Sequence, residues 1–195
     1  YPQKKTAVFS TWLDNRTKLV GDGLPQTNHL KVDYFFDGFE LDTLHFPHDK
    51  EANYIHQIDE KVVNEAAQYI QNESPDLSWV YLEYTDDMGH KYGDSEQFTK
   101  AVQLMDNQVG RLWKAIQYRQ KNFAEEWQLF ITTDHGRDAA SGKNHGGQSD
   151  RERNTWMVTN AKSLNNYFLG KTGIETIPAV VDIMPTIAQH LQISI

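Results

Sequence analysis

The chain has 195 residues, 38% of them apolar and 12% aromatic, enough for a sizeable core, and its net charge is −8. That acidity argues against gripping a nucleic-acid backbone through a basic face. The absence of cysteine excludes a disulfide framework and thiolate metal sites.

No stretch approaches the roughly 18 apolar residues of a membrane span, and the opening at Tyr1 rather than Met leaves any targeting segment unobserved. Residues 6–10 read as a short buried strand, and residues 31–36 as a second strand closed by Asp37-Gly38. Between about residues 51 and 72, Ile55, Ile58, Val62, Val63, Ala66, Tyr69 and Ile70 fall at helical spacing, and Ser74-Pro75-Asp76 ends that helix. Residues 79–84 read as a strand. Residues 95–117 give the strongest helix pattern, with Phe98, Val102, Met105, Val109, Leu112 and Ile116 on one stripe. Residues 128–133 and 154–159 read as further strands, and residues 179–191 as a last helix with Pro185 in its first turns, where proline is tolerated. This alternation predicts an α/β fold, a single domain over residues 1–195 with a mostly parallel sheet between helices. In such sheets ligands collect past the carboxyl ends of the strands.

Three short motifs lie at or near those ends: Asp86-Asp87-Met88-Gly89-His90, Thr133-Asp134-His135-Gly136 and Asn144-His145-Gly146-Gly147. The first is expected in a loop between a strand and the long helix. Carboxylate oxygen with imidazole nitrogen suits zinc, manganese or iron, whereas an all-oxygen ion such as calcium has no use for histidine. Asp134 and His135 are adjacent, so in extended chain they point apart, and they converge only if the backbone turns at Gly136. Each motif alone is weak; their joint occurrence points to a metal site. His29, His45, His48, His56 and His190 have no such context, though His45 and His48 share a loop that could touch substrate. Asp87, Asp138 and Asp150 are the nearest acids to steady a ligating ring, and Asp182 reads as structural at a helix start. Two triplets, Asn15-Arg16-Thr17 and Asn72-Glu73-Ser74, match glycosylation acceptors, a pattern that chance supplies often.

The order and spacing of the motifs resemble the alkaline phosphatase superfamily, on the branch containing nucleotide pyrophosphatases and phosphodiesterases. The residues that carry the resemblance are Asp86 and His90 in D-x-x-G-H, Asp134 and His135 in T-D-H-G, and His145 in N-H-G-G. Residues 153–159 and the ending Val181-Asp182-Ile183-Met184-Pro185-Thr186 are similar to that family's closing strand and helix. The resemblance covers roughly residues 78–191. It implies a metal-dependent hydrolase of small-molecule phosphate esters using two divalent ions, zinc first and manganese the alternative, in an extracytoplasmic location. By the family pattern Asp86, His90 and His145 hold one metal, and Asp134 and His135 the other.

The second site also needs an aspartate at the end of the first strand and a Thr or Ser nucleophile opening a helix. Asp37-Gly38 superficially matches the aspartate, but the one nearby hydroxyl residue, Thr43, opens no helix. The expectation is that the strand at residues 6–10 is a later one, and that the chain is the C-terminal portion of a larger hydrolase domain. The catalytic nucleophile then lies outside it, and the chain alone would hold one zinc with little or no turnover. A sulfatase or phosphomutase on the same scaffold, or an inactive metal-binding fragment, are the alternatives.

Overall fold

The computed structural model describes residues 1, 3–162 and 179–194. Its backbone divides into two compact units, Tyr1–Glu125 and Glu126–Ile195.

In the first unit, β1 (Thr6–Ser10) is the centre of a three-stranded parallel sheet, ordered β2 (Tyr34–Phe36), β1, β3 (Leu77–Tyr81). Ala7, Val8, Phe9 and Ser10 are all buried, as expected of a central parallel strand covered on both faces. On one face Phe9 meets Tyr34 of β2 and Tyr69 of α1 (Asn53–Glu73), each at 5.7 Å between ring centroids. Tyr34 and Tyr69 themselves stack at 4.0 Å. On the other face Val8 lies in register with Phe35 and Trp79. There a π-helical turn, Asn15–Val20, supplies the cover: Arg16 sits 3.8 Å over the Phe35 ring, and the Trp79 indole donates to Asn15 Oδ1 at 3.2 Å. Asn15 is buried and bonded, so the first glycosylation triplet is part of the packing.

The helix at residues 51–72 is α1, and its buried face holds Ile55, Ile58, Val62, Val63, Ala66 and Ile70, together with one acid, Asp59. The long helix is α3 (Glu96–Phe123), which runs six residues past the end of its pattern and is capped by Ser95 Oγ accepting from Phe98 N–H. Its buried stripe runs through Ala101, Gln108, Leu112, Ala115, Ile116 and Arg119, so Val102, 45% exposed, falls off it. Two polar residues share the stripe because α1 satisfies them: Gln108 donates to Glu60 Oε1 at 2.8 Å, and Arg119 to the Gln71 carbonyl at 3.0 Å.

The first motif departs from expectation. Residues 79–84 are not one strand, and the D-x-x-G-H segment is not a loop; β3 ends at Tyr81, and Tyr84–Tyr92 forms a helix, α2. Its charges explain it. Asp86 and Asp87 stand in the first turn and Lys91 in the last, where their charges complement the helix dipole.

In the second unit β4 (Phe130–Thr132) and β5 (Met157–Thr159) pair antiparallel, both shorter than their apolar runs. Asn160 braces the pair, accepting from Leu129 N–H at 2.7 Å and donating to the Trp127 carbonyl at 2.9 Å. A one-turn helix, α4 (Asp150–Arg153), begins on a Ser149/Glu152 capping box. The last predicted helix resolves into a 3₁₀ turn, Val180–Asp182, and α5 (Ile183–His190), with Pro185 in its first turn. Asp182 is structural as expected: its carboxylate accepts from Ala179 N–H at 2.7 Å. Among the described residues no helix is long and apolar enough to cross a membrane.

Phe9 is wholly buried at the meeting of β1, β2 and α1. Phe9→Ala is expected to destabilise the protein by about 3–5 kcal/mol, read by chemical denaturation.

Candidate metal centre

In the first unit, Asp86 and His90 lie four residues apart on α2, hence on one face. His90 Nε2 stands 3.2 Å from Asp86 Oδ2, and both side chains are partly exposed. The start of α2 makes no side-chain cap of its own. Instead Asp59, arriving from α1, accepts from the backbone N–H groups of Glu83 and Tyr84 at 3.1 and 3.0 Å. Negative charge is concentrated here. Burial, then the neighbouring Asp87, Asp59, Asp86 and Glu40, push the Glu83 carboxyl up to about 8. Burial followed by Asp86 raises Asp87 as well, and burial takes Asp59 up to about 6 against three hydrogen bonds that oppose it. A bound cation is the group that would relieve this crowding.

In the second unit, the His135 and His145 rings stack at 3.7 Å between centroids, and Asp134 Oδ1 stands 3.6 Å from His135 Nε2. His135 Nδ1 lies 2.9 Å from the Gly136 carbonyl. A carbonyl only accepts, so Nδ1 carries the proton and Nε2 is the electron-pair nitrogen of the neutral ring. A carbonyl is a usual outer partner for a ligating histidine.

Asp138 and Asp150 are engaged elsewhere. The Asp138 carboxylate accepts from Ala140, Ser141 and Asn144 N–H groups at 3.0, 2.7 and 2.7 Å, closing the loop that ends at His145. Those bonds, Asn144 first, hold its pKa far below the usual carboxylate range. Asp150 accepts from Arg153. On the far side of His145, Glu152 Oε1 accepts from Gly147 N–H at 2.9 Å. His145 is thus held between two carboxylate clamps. Gly146 adopts φ +92°, a conformation that favours glycine. Gly136 serves by close approach rather than by a left-handed turn: a Cβ there would stand 2.0 Å from the Arg151 carbonyl oxygen.

The other candidates have partners of their own. Asp37 is held by Arg16, through Nε at 2.6 Å and Nη2 at 3.1 Å, which gives it a structural task in place of the superficial match to the family's first aspartate. His45 bonds Asp42 at 2.7 Å, and His48 stacks on Tyr54 at 4.3 Å.

The type I phosphodiesterase / nucleotide pyrophosphatase family model matches residues 3–186. The chain belongs to this family. It is a branch of the alkaline phosphatase superfamily, and the parallel sheet flanked by helices fits that fold. Venom phosphodiesterase of Naja atra is 37% identical over 68 residues, covering 34% of this chain and 8% of that protein. Venom phosphodiesterase 2 of Crotalus adamanteus is 35% identical over 68 residues, with the same shares covered. The aligned stretch is thus a small part of these curated relatives.

Gly136→Ala drives a methyl group into backbone, which costs about 1–3 kcal/mol. The expected result is loss of amide-exchange protection at Gly136, whose N–H donates to the Glu152 carbonyl at 2.8 Å. Protection unchanged from wild type would contradict the close-approach role.

Proposed function

We propose that this chain carries the metal-ligand segments of a metal-dependent phosphodiesterase or nucleotide pyrophosphatase, both of its units belonging to one larger catalytic domain. Asp86, His90 and His145 serve as ligands of one divalent ion, and Asp134 and His135 of a second. The observation that carries the reading is that carboxylate and imidazole stand paired inside each unit, at the motifs of a family that hydrolyses phosphate esters. Nitrogen and carboxylate-oxygen donors fit zinc, and manganese next.

When bound, two such ions supply the positive charge that a phosphoryl group needs as its oxygens are attacked and released. The chain's own part is orientation. The α2 backbone sets Asp86 and His90 one turn apart, the Gly136 carbonyl fixes the His135 tautomer, and the Asp138 and Glu152 clamps fix the path of the loop at His145. The substrate class is a small phosphate diester and the location extracytoplasmic. Family membership and the venom phosphodiesterases among the relatives support both readings.

Elemental analysis of the purified chain after zinc loading tests the reading. Near-stoichiometric zinc is expected, with most of it lost in His90→Ala and in His145→Ala. Zinc retained undiminished in both variants would contradict the ligand assignment. The ester class is read alongside, by comparing bis(4-nitrophenyl) phosphate with 4-nitrophenyl phosphate. The diester should be the faster substrate in any preparation that turns over.

A further inference from the structure

We propose that Asp59 and Thr11 form a buried positioning pair that fixes the start of α2 and thereby holds Asp86 and His90 in ligating geometry. The inference rests on the ligand reading above and lies wholly within the first unit.

Asp59 is 0% exposed, on the apolar face of α1 beside Ile58, Val62 and Val63. An acid in that position costs several kcal/mol unless its oxygens are bonded. Three donors meet it: Thr11 Oγ1 at 2.6 Å and Glu83 N–H at 3.1 Å on Oδ1, and Tyr84 N–H at 3.0 Å on Oδ2. Two of these are among the N–H groups that the first turn of α2 leaves without helical partners. A helix is ordinarily capped by its own N-cap side chain, exposed to water and at little cost. Here the cap comes from a different helix through the core.

The pair ties three elements together. Thr11 is also fully buried, it follows β1 directly, and its own N–H donates to the Tyr81 carbonyl at the end of β3 at 3.2 Å. The axial position of α2 is therefore referred to the carboxyl ends of β1 and β3 and to α1. Asp86 and His90 follow Tyr84 by two and six residues on that helix. Ligands must be held within about 0.5 Å of productive geometry, so a sliding or fraying α2 would spoil them while leaving the core intact.

The test uses the whole chain with Asp59→Asn, Thr11→Val and Thr11→Ser, beside wild type and His90→Ala. Asp59→Asn preserves an oxygen for Thr11 and Glu83 but turns an amide N–H₂ toward the Tyr84 N–H. Thr11→Val removes the hydroxyl at constant shape, and Thr11→Ser restores it. Zinc affinity is measured by competition with a chromophoric chelator, at a temperature where each variant is folded. Amide exchange of α1, α2 and α3 is measured without metal.

Asp59→Asn and Thr11→Val are expected to weaken zinc binding by about 10–100-fold, the usual effect of losing an outer partner, while Thr11→Ser keeps wild-type affinity. Exchange protection should fall selectively in the first turn of α2. Unchanged affinity in folded variants overturns the proposal, and so does a loss of protection spread evenly over all three helices. Should Asp59→Asn fail to fold, the Thr11→Val and Thr11→Ser comparison decides. Should wild type bind no zinc, the ligand reading falls, and exchange alone decides: selective loss at α2 supports the pair, and unchanged exchange overturns it.

Discussion

The first unit depends on burying one short strand from both sides. Residues Ala7 to Ser10 of β1 have almost no exposure, and a central parallel strand is stable only when both faces of its sheet are covered. The Phe9, Tyr34 and Tyr69 cluster joins α1 to one face. The turn with Asn15 and Arg16 closes the other through Trp79 and Phe35. Once β1 is fixed, so is the end from which Thr11 reaches Asp59, and with it the point where α2 begins.

Electrostatics runs against stability at the same end of the sheet. Asp59, Glu83 and Asp87 are acids partly or fully withdrawn from water, and burial raises the pKa of each. A structural core would be cheaper with apolar residues in these places. Concentrated carboxylates next to a histidine make chemical sense as the environment of a cation, which offsets their repulsion and gains from their charge. In the second unit the acids are used differently. Asp138 and Glu152 bond to backbone amides and shape the loop around His145.

What was legible in the sequence was local. The three motifs stand out because ligand chemistry needs particular residue types within a few positions, and α1 stands out because its apolar spacing is regular. The helical state of Asp86–His90 was hidden, since two acids and a glycine after a strand read as a turn. Its decisive cap, Asp59, lies 24 and 25 residues away in sequence. Asp59 itself was masked by the apolar residues around it, and its hydroxyl partner is 48 residues distant. The Arg16–Asp37 pair, 21 residues apart, likewise turned a superficial match to a family aspartate into a structural contact. The slip in the α3 stripe has the same origin: α1 supplies Glu60 for Gln108, so a polar residue occupies the buried face. Pairings made through the fold leave no periodic mark.

The central claim is that histidines from separate motifs ligate metal, and ring nitrogens report that directly. The measurement is a long-range ¹H–¹⁵N spectrum of the eight histidines, recorded while zinc is added to the metal-free chain. The account predicts that His90 and His145 shift together at the first additions and that His135 shifts, through Nε2 with Nδ1 still protonated, only as a second ion binds, while His29, His45, His48, His56 and His190 stay in place. Shifts confined to those five, or no change at His90 and His145, would contradict it.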